Sequence, residues 1–201
     1  MIRVVFFDAG GVLHTSNTEQ ATDLKQELGL TDDQLSVIYS EYLPLLGKGL
    51  ITEDELWVSA HKRFGIRLVK PHEKLFTRTF ETSLKKMTGM YELVESLKSL
   101  GLKVALLTNV SPQYAEVLEK AGHYQPFDTR ILSFEVGAWK PEQQIFKIAL
   151  DTLEVQPEES LFIDDTDVNV QAAKKLGLHG IVFKNTKQLK LELRKYIPFL
   201  E

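Results

Sequence analysis

The 201-residue chain contains no cysteine. This absence excludes disulfide cross-links, thiolate zinc sites, iron–sulfur clusters and cysteine nucleophiles. Any metal ion that the protein binds must therefore have oxygen or imidazole ligands.

The chain also has little clustered positive charge and no long apolar run. Its 24 basic and 28 acidic residues are spread along the sequence and give a formal net charge of -4, so we expect no nucleic-acid partner. The apolar run near the N-terminus, about four residues long, is too short for a signal peptide or a membrane span. We expect a cytoplasmic protein without membrane association, and the sequence leaves open whether it is a monomer or a homodimer.

The remaining composition is that of an ordinary globular protein. Apolar residues make up 43% of the chain and charged residues 26%, which excludes a disordered chain. A chain of this length can form one core, or one core with a small inserted lobe.

Continuous runs of β-branched and aromatic residues alternate with helical patterns. Such runs are typical of strands that are buried on both faces, as in a parallel sheet. Because helices of about ten residues lie between the strands, the sequence predicts an α/β fold with a doubly wound parallel sheet. The predicted strands are 3–7, 103–107, 161–163, 180–183 and, more weakly, 129–134; the predicted helices between them are 91–100, 112–121 (with Ser111 as N-cap), 143–153 and 168–176.

The segment 17–87 interrupts this alternation. It contains two capping boxes, Thr31 to Gln34 and Thr52 to Glu55, each ahead of an amphipathic run. A further helical pattern covers about 75–84. We therefore expect an all-helical lobe, a cap, inserted into a core formed by residues 1–16 and 88–201.

Polar residues follow the predicted strands at their carboxyl ends. They are Asp8, the pair Thr108 and Asn109, and the pair Asp164 and Asp165, with Lys140 ahead of the next helix. Ligands of open parallel sheets bind at this edge. A carboxylate nucleophile, hydroxyl and amide donors and a cation together are what phosphoryl transfer through an aspartyl-phosphate requires.

These segments resemble the four motifs of the haloacid dehalogenase superfamily of aspartate-nucleophile phosphatases. FFDAGGVL is similar to the first motif, LLTN to the second, the lysine of GAWKPEQQIF to the third, and FIDDTDVNVQAAKKLG to the fourth. The order of the motifs and the helical insert after the first one resemble the members with a helical cap.

The resemblance implies a role for each site residue. Asp8 would attack phosphorus, and its carboxylate, the Gly10 carbonyl and Asp165 would hold Mg²⁺. Asp164 would bind the metal directly or through water, and Asn169 stands at the position four residues after Asp165.

Three further residues would contact the phosphoryl group. Thr108 would donate its hydroxyl and Asn109 its backbone amide to the phosphoryl oxygens, while Lys140 would neutralise negative charge. The substrate would be a small phosphorylated metabolite, and a sugar phosphate is the best candidate.

One position departs from the usual phosphatase pattern. Gly10 stands where an acid, two residues after the nucleophile, protonates the leaving group, a step worth about 10² to 10⁴ in rate. First motifs of the DxGG or DxGN type resemble those of sugar-1-phosphate phosphatases. Two alternatives stay open: a non-catalytic protein that binds a phosphorylated ligand, and a metal-independent 2-haloacid dehalogenase, which the paired acids at 164 and 165 disfavour.

Two other side chains have alternative interpretations. His14 is either a substitute acid or a loop histidine without a catalytic role, and we favour the second. Lys48 either meets an anionic or hydroxylated substrate or belongs to a solvated loop, and again we favour the second.

Overall fold

A five-stranded parallel sheet forms the centre of the fold, with the strand order β3-β2-β1-β4-β5. The structure, a computed structural model, describes residues 1–15 and 18–200. The strands are β1 (Val4–Phe7), β2 (Lys103–Thr108), β3 (Thr129–Leu132), β4 (Ser160–Asp164) and β5 (His179–Val182). The predicted doubly wound α/β fold is confirmed.

The central strand is buried because both faces of the sheet are covered. Val5 and Phe7 point into a core shared with the helical insert, while Val4 and Phe6 point into a second core on the other face. All four side chains are fully buried. A strand with no polar face is the expected result of helices packing on both sides.

Eleven α-helices are assigned within the described residues. A π-helical turn, Ile38–Tyr42, separates α2 from α3. In chain order the helices are α1 (Thr18–Leu28), α2 (Asp32–Val37), α3 (Leu43–Gly47), α4 (Glu53–Phe64), α5 (Leu75–Ser83), α6 (Thr88–Ser99), α7 (Pro112–Lys120), α8 (Ser133–Val136), α9 (Gln143–Leu153), α10 (Asp167–Lys175) and α11 (Thr186–Leu193).

Local signals in the sequence account for several helix starts. Both predicted capping boxes are present, ahead of α2 and α4. The Ser111 hydroxyl accepts a hydrogen bond from the Tyr114 amide and so caps α7, as expected. None of the helices in the described residues combines the length and apolar character that a bilayer crossing requires, and the cytoplasmic location stays a prediction.

The predicted strand 129–134 is two residues too long. The strand β3 ends at Leu132, and Ser133 opens the short helix α8. The physical reason is that β3 is an edge strand whose neighbour, β2, ends at Thr108, the residue that pairs with Leu132. The Ser133 hydroxyl accepts the Val110 amide at 2.9 Å and donates to the Gly47 carbonyl at 2.6 Å.

The helical insert, α1 to α5, leaves and rejoins the core through two paired segments. The Thr15 amide donates to the Lys85 carbonyl at 2.9 Å, and the Met87 amide donates to the Leu13 carbonyl at 2.8 Å. The insert therefore joins the core directly behind the loop that follows β1. The expected boundary between residues 16 and 17 lies outside the described residues, and the one between 87 and 88 stays a prediction.

Candidate active site

The central position of β1 brings the predicted site residues together. Phe7 pairs with Leu106 of β2 on one side and with Ile163 of β4 on the other. Asp8, the next residue, therefore emerges between the ends of β2 and β4. Thr108 is buried at the end of β2 and Asp164 at the end of β4.

Lys140 lies between two of the carboxylates. Its ammonium nitrogen, Nζ, is 2.8 Å from Asp8 Oδ1 and 2.7 Å from Asp164 Oδ2, and the side chain is almost fully buried. A buried cation is stable only when paired, and removing one partner of such a pair leaves an uncompensated charge. This triad therefore fixes the position of both carboxylates.

Asn109 holds the backbone of Lys140. Its side-chain amide donates to the Lys140 carbonyl at 3.0 Å, and its side-chain oxygen accepts the Lys140 amide at 2.8 Å. From the sequence, only the backbone amide of Asn109 was predicted to act, as a donor to the phosphoryl group. The contact of its side chain with Lys140 was not predicted, because no spacing in the sequence shows that residues 31 apart meet through one side chain.

Asp164 is already surrounded by donors. Besides Lys140, it accepts the Thr166 amide at 2.8 Å, and Asn169 Nδ2 lies 3.2 and 3.1 Å from its two oxygens. The side-chain amide of Asn169 thus contacts Asp164. These contacts favour the indirect role for Asp164, and direct metal coordination by it stays a prediction.

Asp165 lies against the glycine pair of the first motif. A β-carbon on Gly11 would fall 2.1 Å from Asp165 Oδ2, and Gly11 has a φ of +74°. Only glycine combines that backbone conformation with the close approach. Gly11 is therefore part of the site, although no role was predicted for it from the sequence. Its place next to Gly10 in the first motif was the available signal.

The carboxylates of Asp8, Asp164 and Asp165 form one cluster. One oxygen of each lies within 4.8 Å of the others. Burial raises the pKa of Asp8 to about 7, with Lys140 opposing the rise and the neighbouring carboxylates adding to it. Burial and the charge of Asp164 also raise the pKa of Asp165.

This cluster fits a hard divalent cation. Three carboxylates face a single ammonium group, so negative charge is in excess, and carboxylate and carbonyl oxygens are the ligands that Mg²⁺ prefers. Gly10, whose carbonyl is the other predicted ligand, lies in the same loop as Asp8. The assignment of the Asp8, Asp165 and Gly10 oxygens to Mg²⁺ stays a prediction.

His14 is buried next to Gly10. Its Cε1 lies 3.8 Å from the position of a β-carbon on Gly10. Its Nδ1 donates to the Thr15 carbonyl at 3.0 Å, and burial lowers the pKa of His14. A histidine that stays neutral is a poor proton donor, which supports the interpretation without a catalytic role.

Lys48 lies half-buried in the turn after α3, and it is paired with the core. Its Nζ lies 2.5 Å from Glu142 Oε1, in the turn that follows Lys140. The ion pair with Glu142 holds Lys48 against the core.

A separate cavity of about 300 Å³ lies between the insert and α7, and its lining includes Thr52, Lys74 and Gln113.

Comparison with known proteins places this site in a family. The model of the haloacid dehalogenase-like hydrolases matches residues 2–177. The sesquiterpene phosphatase astK of Aspergillus oryzae is 26% identical over 199 residues, covering 97% of this chain and 96% of that protein. The D-ribitol-5-phosphate phosphatase of Bacteroides thetaiotaomicron is 27% identical over 209 residues, with 96% and 97% coverage.

Other relatives are longer than this chain. The drimenol cyclase drtB of Aspergillus calidoustus is 28% identical over 197 residues, covering 96% of this chain but 36% of that protein. Among solved structures, the magnesium complex of a HAD family enzyme from Bacteroides thetaiotaomicron has a TM-score of 0.76 and 25% identity, covering 96% of this chain and 98% of that one. An L-2-haloacid dehalogenase from Xanthobacter autotrophicus shares the fold, with a TM-score of 0.66 and 21% identity over 99% of this chain and 84% of that one.

The carboxylate cluster predicts how Mg²⁺ affects stability. Mg²⁺ at about 100 times its dissociation constant should raise the Tm of the wild-type protein by about 5 to 10 °C. Asp165→Asn should abolish this shift. Because the folded protein raises the pKa of Asp165 and so disfavours its ionised form, the same variant should melt at an equal or higher temperature than wild type without metal. Thermal melts with Mg²⁺ and with a chelator test both statements.

A matched variant controls for the loss of charge alone. Asp151→Asn removes an exposed carboxylate in the last turn of α9 and should keep the full Mg²⁺ shift. An Asp165→Asn protein that still responds to Mg²⁺, or that is destabilised without it, would contradict the assignment.

Proposed function

The chain belongs to the haloacid dehalogenase-like hydrolases, and on that premise we propose that it is a Mg²⁺-dependent phosphatase that acts through an aspartyl-phosphate on Asp8. One observation supports this most directly. The Asp8 carboxylate, at the end of the central strand, is held 2.8 Å from a buried lysine beside two further carboxylates. A nucleophile, a cation and an oxygen-rich cation site are thus assembled in one place.

The proposed reaction has two displacements at phosphorus. In the first, an Asp8 oxygen forms a bond to phosphorus while the bond from phosphorus to the ester oxygen breaks. The departing alkoxide then takes its proton from water, because Gly10 supplies none. In the second, water attacks phosphorus and regenerates the Asp8 carboxylate, releasing inorganic phosphate.

The other site residues orient the nucleophile and the phosphoryl group and neutralise their negative charge. Lys140 holds Asp8 Oδ1 and offsets charge shared by the nucleophile and the phosphoryl group. The Thr108 hydroxyl and the Asn109 amide would donate to phosphoryl oxygens. Bound Mg²⁺, held by Asp8, Asp165 and the Gly10 carbonyl, would supply further positive charge for the phosphoryl oxygens.

The alternative functions are less well supported. A metal-independent dehalogenase has no need for a third carboxylate within 4.8 Å of the other two. A protein that only binds a phosphorylated ligand does not require a buried nucleophile paired with a lysine. Phosphate or halide release, with and without Mg²⁺, distinguishes the three functions.

We propose a small hydroxylated phosphomonoester, such as a sugar or polyol phosphate, as the substrate. The relative named as a D-ribitol-5-phosphate phosphatase, which matches 96% of this chain, supports this substrate class. The relatives named for ribitol 5-phosphate and for sesquiterpenes mark the two chemical extremes to compare. A panel of sugar, polyol and prenyl phosphates tests this choice.

The nucleophile assignment predicts the effect of Asp8→Asn. The change keeps the shape of the side chain and removes its attacking charge, so phosphate release should fall to background. Far-ultraviolet circular dichroism should show that the fold is intact. Retention of more than about a tenth of the wild-type kcat, a barrier change below about 1.4 kcal/mol, would contradict the assignment.

The glycine at position 10 predicts a steep dependence on the leaving group. Without a proton donor, aryl phosphates and sugar 1-phosphates, whose leaving groups are more acidic, should exceed alkyl and sugar 6-phosphates in kcat/KM. A leaving-group series on the wild-type protein measures this slope.

Position 10 also offers a matched pair of variants. A β-carbon there would meet only His14 Cε1 within 4 Å, at 3.8 Å, so the β-carbon of a new side chain fits. Gly10→Asp should flatten the series, whereas Gly10→Asn, which has the same shape but no acid, should not. A flat wild-type series with the chemical step rate-limiting would show that another group supplies the proton.

A further inference from the structure

The end of α3 in the insert contacts the core at a loop that follows the predicted site residues. The Gly47 carbonyl accepts the Ser133 hydroxyl at 2.6 Å. The oxygen of that hydroxyl also accepts the amide of Val110, two residues after Thr108, at 2.9 Å. One buried serine therefore connects the insert to the loop at the end of β2.

A second contact is the packing of the Trp139 ring on Gly47. A β-carbon on Gly47 would lie 1.9 Å from Trp139 Cζ3 and 2.7 Å from its Cε3. The ring thus rests on the backbone of the insert, with no space for any side chain at this position. Trp139 immediately precedes Lys140, so this packing acts on the residue next to the buried cation.

A third contact uses both oxygens of Glu142. Oε1 binds Lys48 Nζ at 2.5 Å, and Oε2 accepts the Trp139 amide at 3.2 Å. The Glu142 amide in turn donates to the Trp139 carbonyl at 2.8 Å. The carboxylate of Glu142 therefore ties the insert to the turn that contains Lys140.

We propose that Trp139 and Glu142 are positioning residues, through which Gly47 and Lys48 of the insert set the place of Lys140 relative to Asp8. This inference rests on the proposed phosphatase function for its main readout. It gives the insert a role in the proposed reaction: the insert supports the turn that carries Lys140.

The geometry of Lys140 explains why such support matters. Its backbone is clamped on one side by Asn109, and the Trp139 ring holds the preceding residue from the side of the insert. A displacement of about 1 Å in a catalytic group can cost about a hundredfold in rate. Lys140 Nζ bridges two carboxylates at 2.7 and 2.8 Å, so a shift of its backbone disturbs both contacts.

The test is Gly47→Ala, which forces the Trp139 ring away from the insert. With p-nitrophenyl phosphate and Mg²⁺, kcat should fall about ten- to a hundredfold while KM changes less than about threefold, because no group that binds the ester is removed. Gly65→Ala is the control. Gly65 is another glycine of the insert, with no atom within 4 Å of its would-be β-carbon and a φ of +66°, so this variant bears backbone strain without touching the core.

Two double variants test the route of the effect. Trp139→Phe shortens the ring and should restore most of the kcat that Gly47→Ala loses. In a Lys140→Met background, Gly47→Ala should cause no further loss of kcat, since the two changes act through the same group. Equal losses from Gly47→Ala with and without Lys140 would overturn the inference, as would a normal kcat in Gly47→Ala itself.

If Lys140→Met does not fold, tryptophan fluorescence tests instead whether Gly47 positions Trp139. The chain has two tryptophans, so Trp57→Phe leaves Trp139 as the only one. Mg²⁺ with inorganic phosphate should change Trp139 emission in this protein, and Gly47→Ala should red-shift the emission and remove that response. An unchanged emission and response in Gly47→Ala would overturn the inference.

The inference and the proposed function can fail separately. A wild-type protein that hydrolyses no ester refutes the function, and the phosphate response of Trp139 then still tests the contact. An active wild type whose Gly47→Ala variant behaves like Gly65→Ala refutes the inference alone. A wild type that neither hydrolyses esters nor responds to phosphate overturns both.

Discussion

The rest of the site depends on the buried ion triad of Asp8, Lys140 and Asp164. Two carboxylates at the ends of neighbouring strands would repel each other in a place that water barely reaches, and the lysine between them makes the arrangement stable. The cost of burying the ammonium explains the surrounding hydrogen bonds. Asn109 clamps the lysine backbone, while Asn169 and Thr166 donate to Asp164.

Two members of the triad, Asp8 and Asp164, lie at the ends of neighbouring strands of the parallel sheet. The third, Lys140, lies in a turn outside the sheet. The ends of β1 and β4 are adjacent by pairing, so the places of Asp8 and Asp164 follow from the strand order alone. Lys140 lies in a turn, and a turn is held only by what packs on it. This difference is the physical reason why the inferred support from the insert would act on the lysine.

Much of this could be predicted from the sequence, because strand runs, helix caps and strand-end residues are local signals. The runs before Asp8 and Asp164 predicted the parallel sheet and the edge where chemistry residues meet, and the helix 143–153 matches α9 residue for residue. The predicted end of β3 was wrong by two residues, because β3 ends where its neighbour β2 ends, at the pair Thr108 and Leu132, and an apolar run does not show where the neighbouring strand stops. No periodicity or spacing in the sequence indicates that Gly47 contacts Trp139, or that Gly11 lies against Asp165.

The charge balance of the site bears on the proposed function. Asp8, Asp164 and Asp165 together exceed the single charge of Lys140, and burial, with the neighbouring carboxylates adding to it, raises the pKa values of Asp8 and Asp165. A phosphomonoester would bring further negative charge to the same place. At an effective dielectric constant of about 20, each unscreened pair of like charges 4 Å apart costs about 4 kcal/mol. If the chain is the proposed phosphatase, productive binding of the ester would therefore depend on a cation that is already bound, and the acids that attract this cation are the ones that would repel the substrate without it.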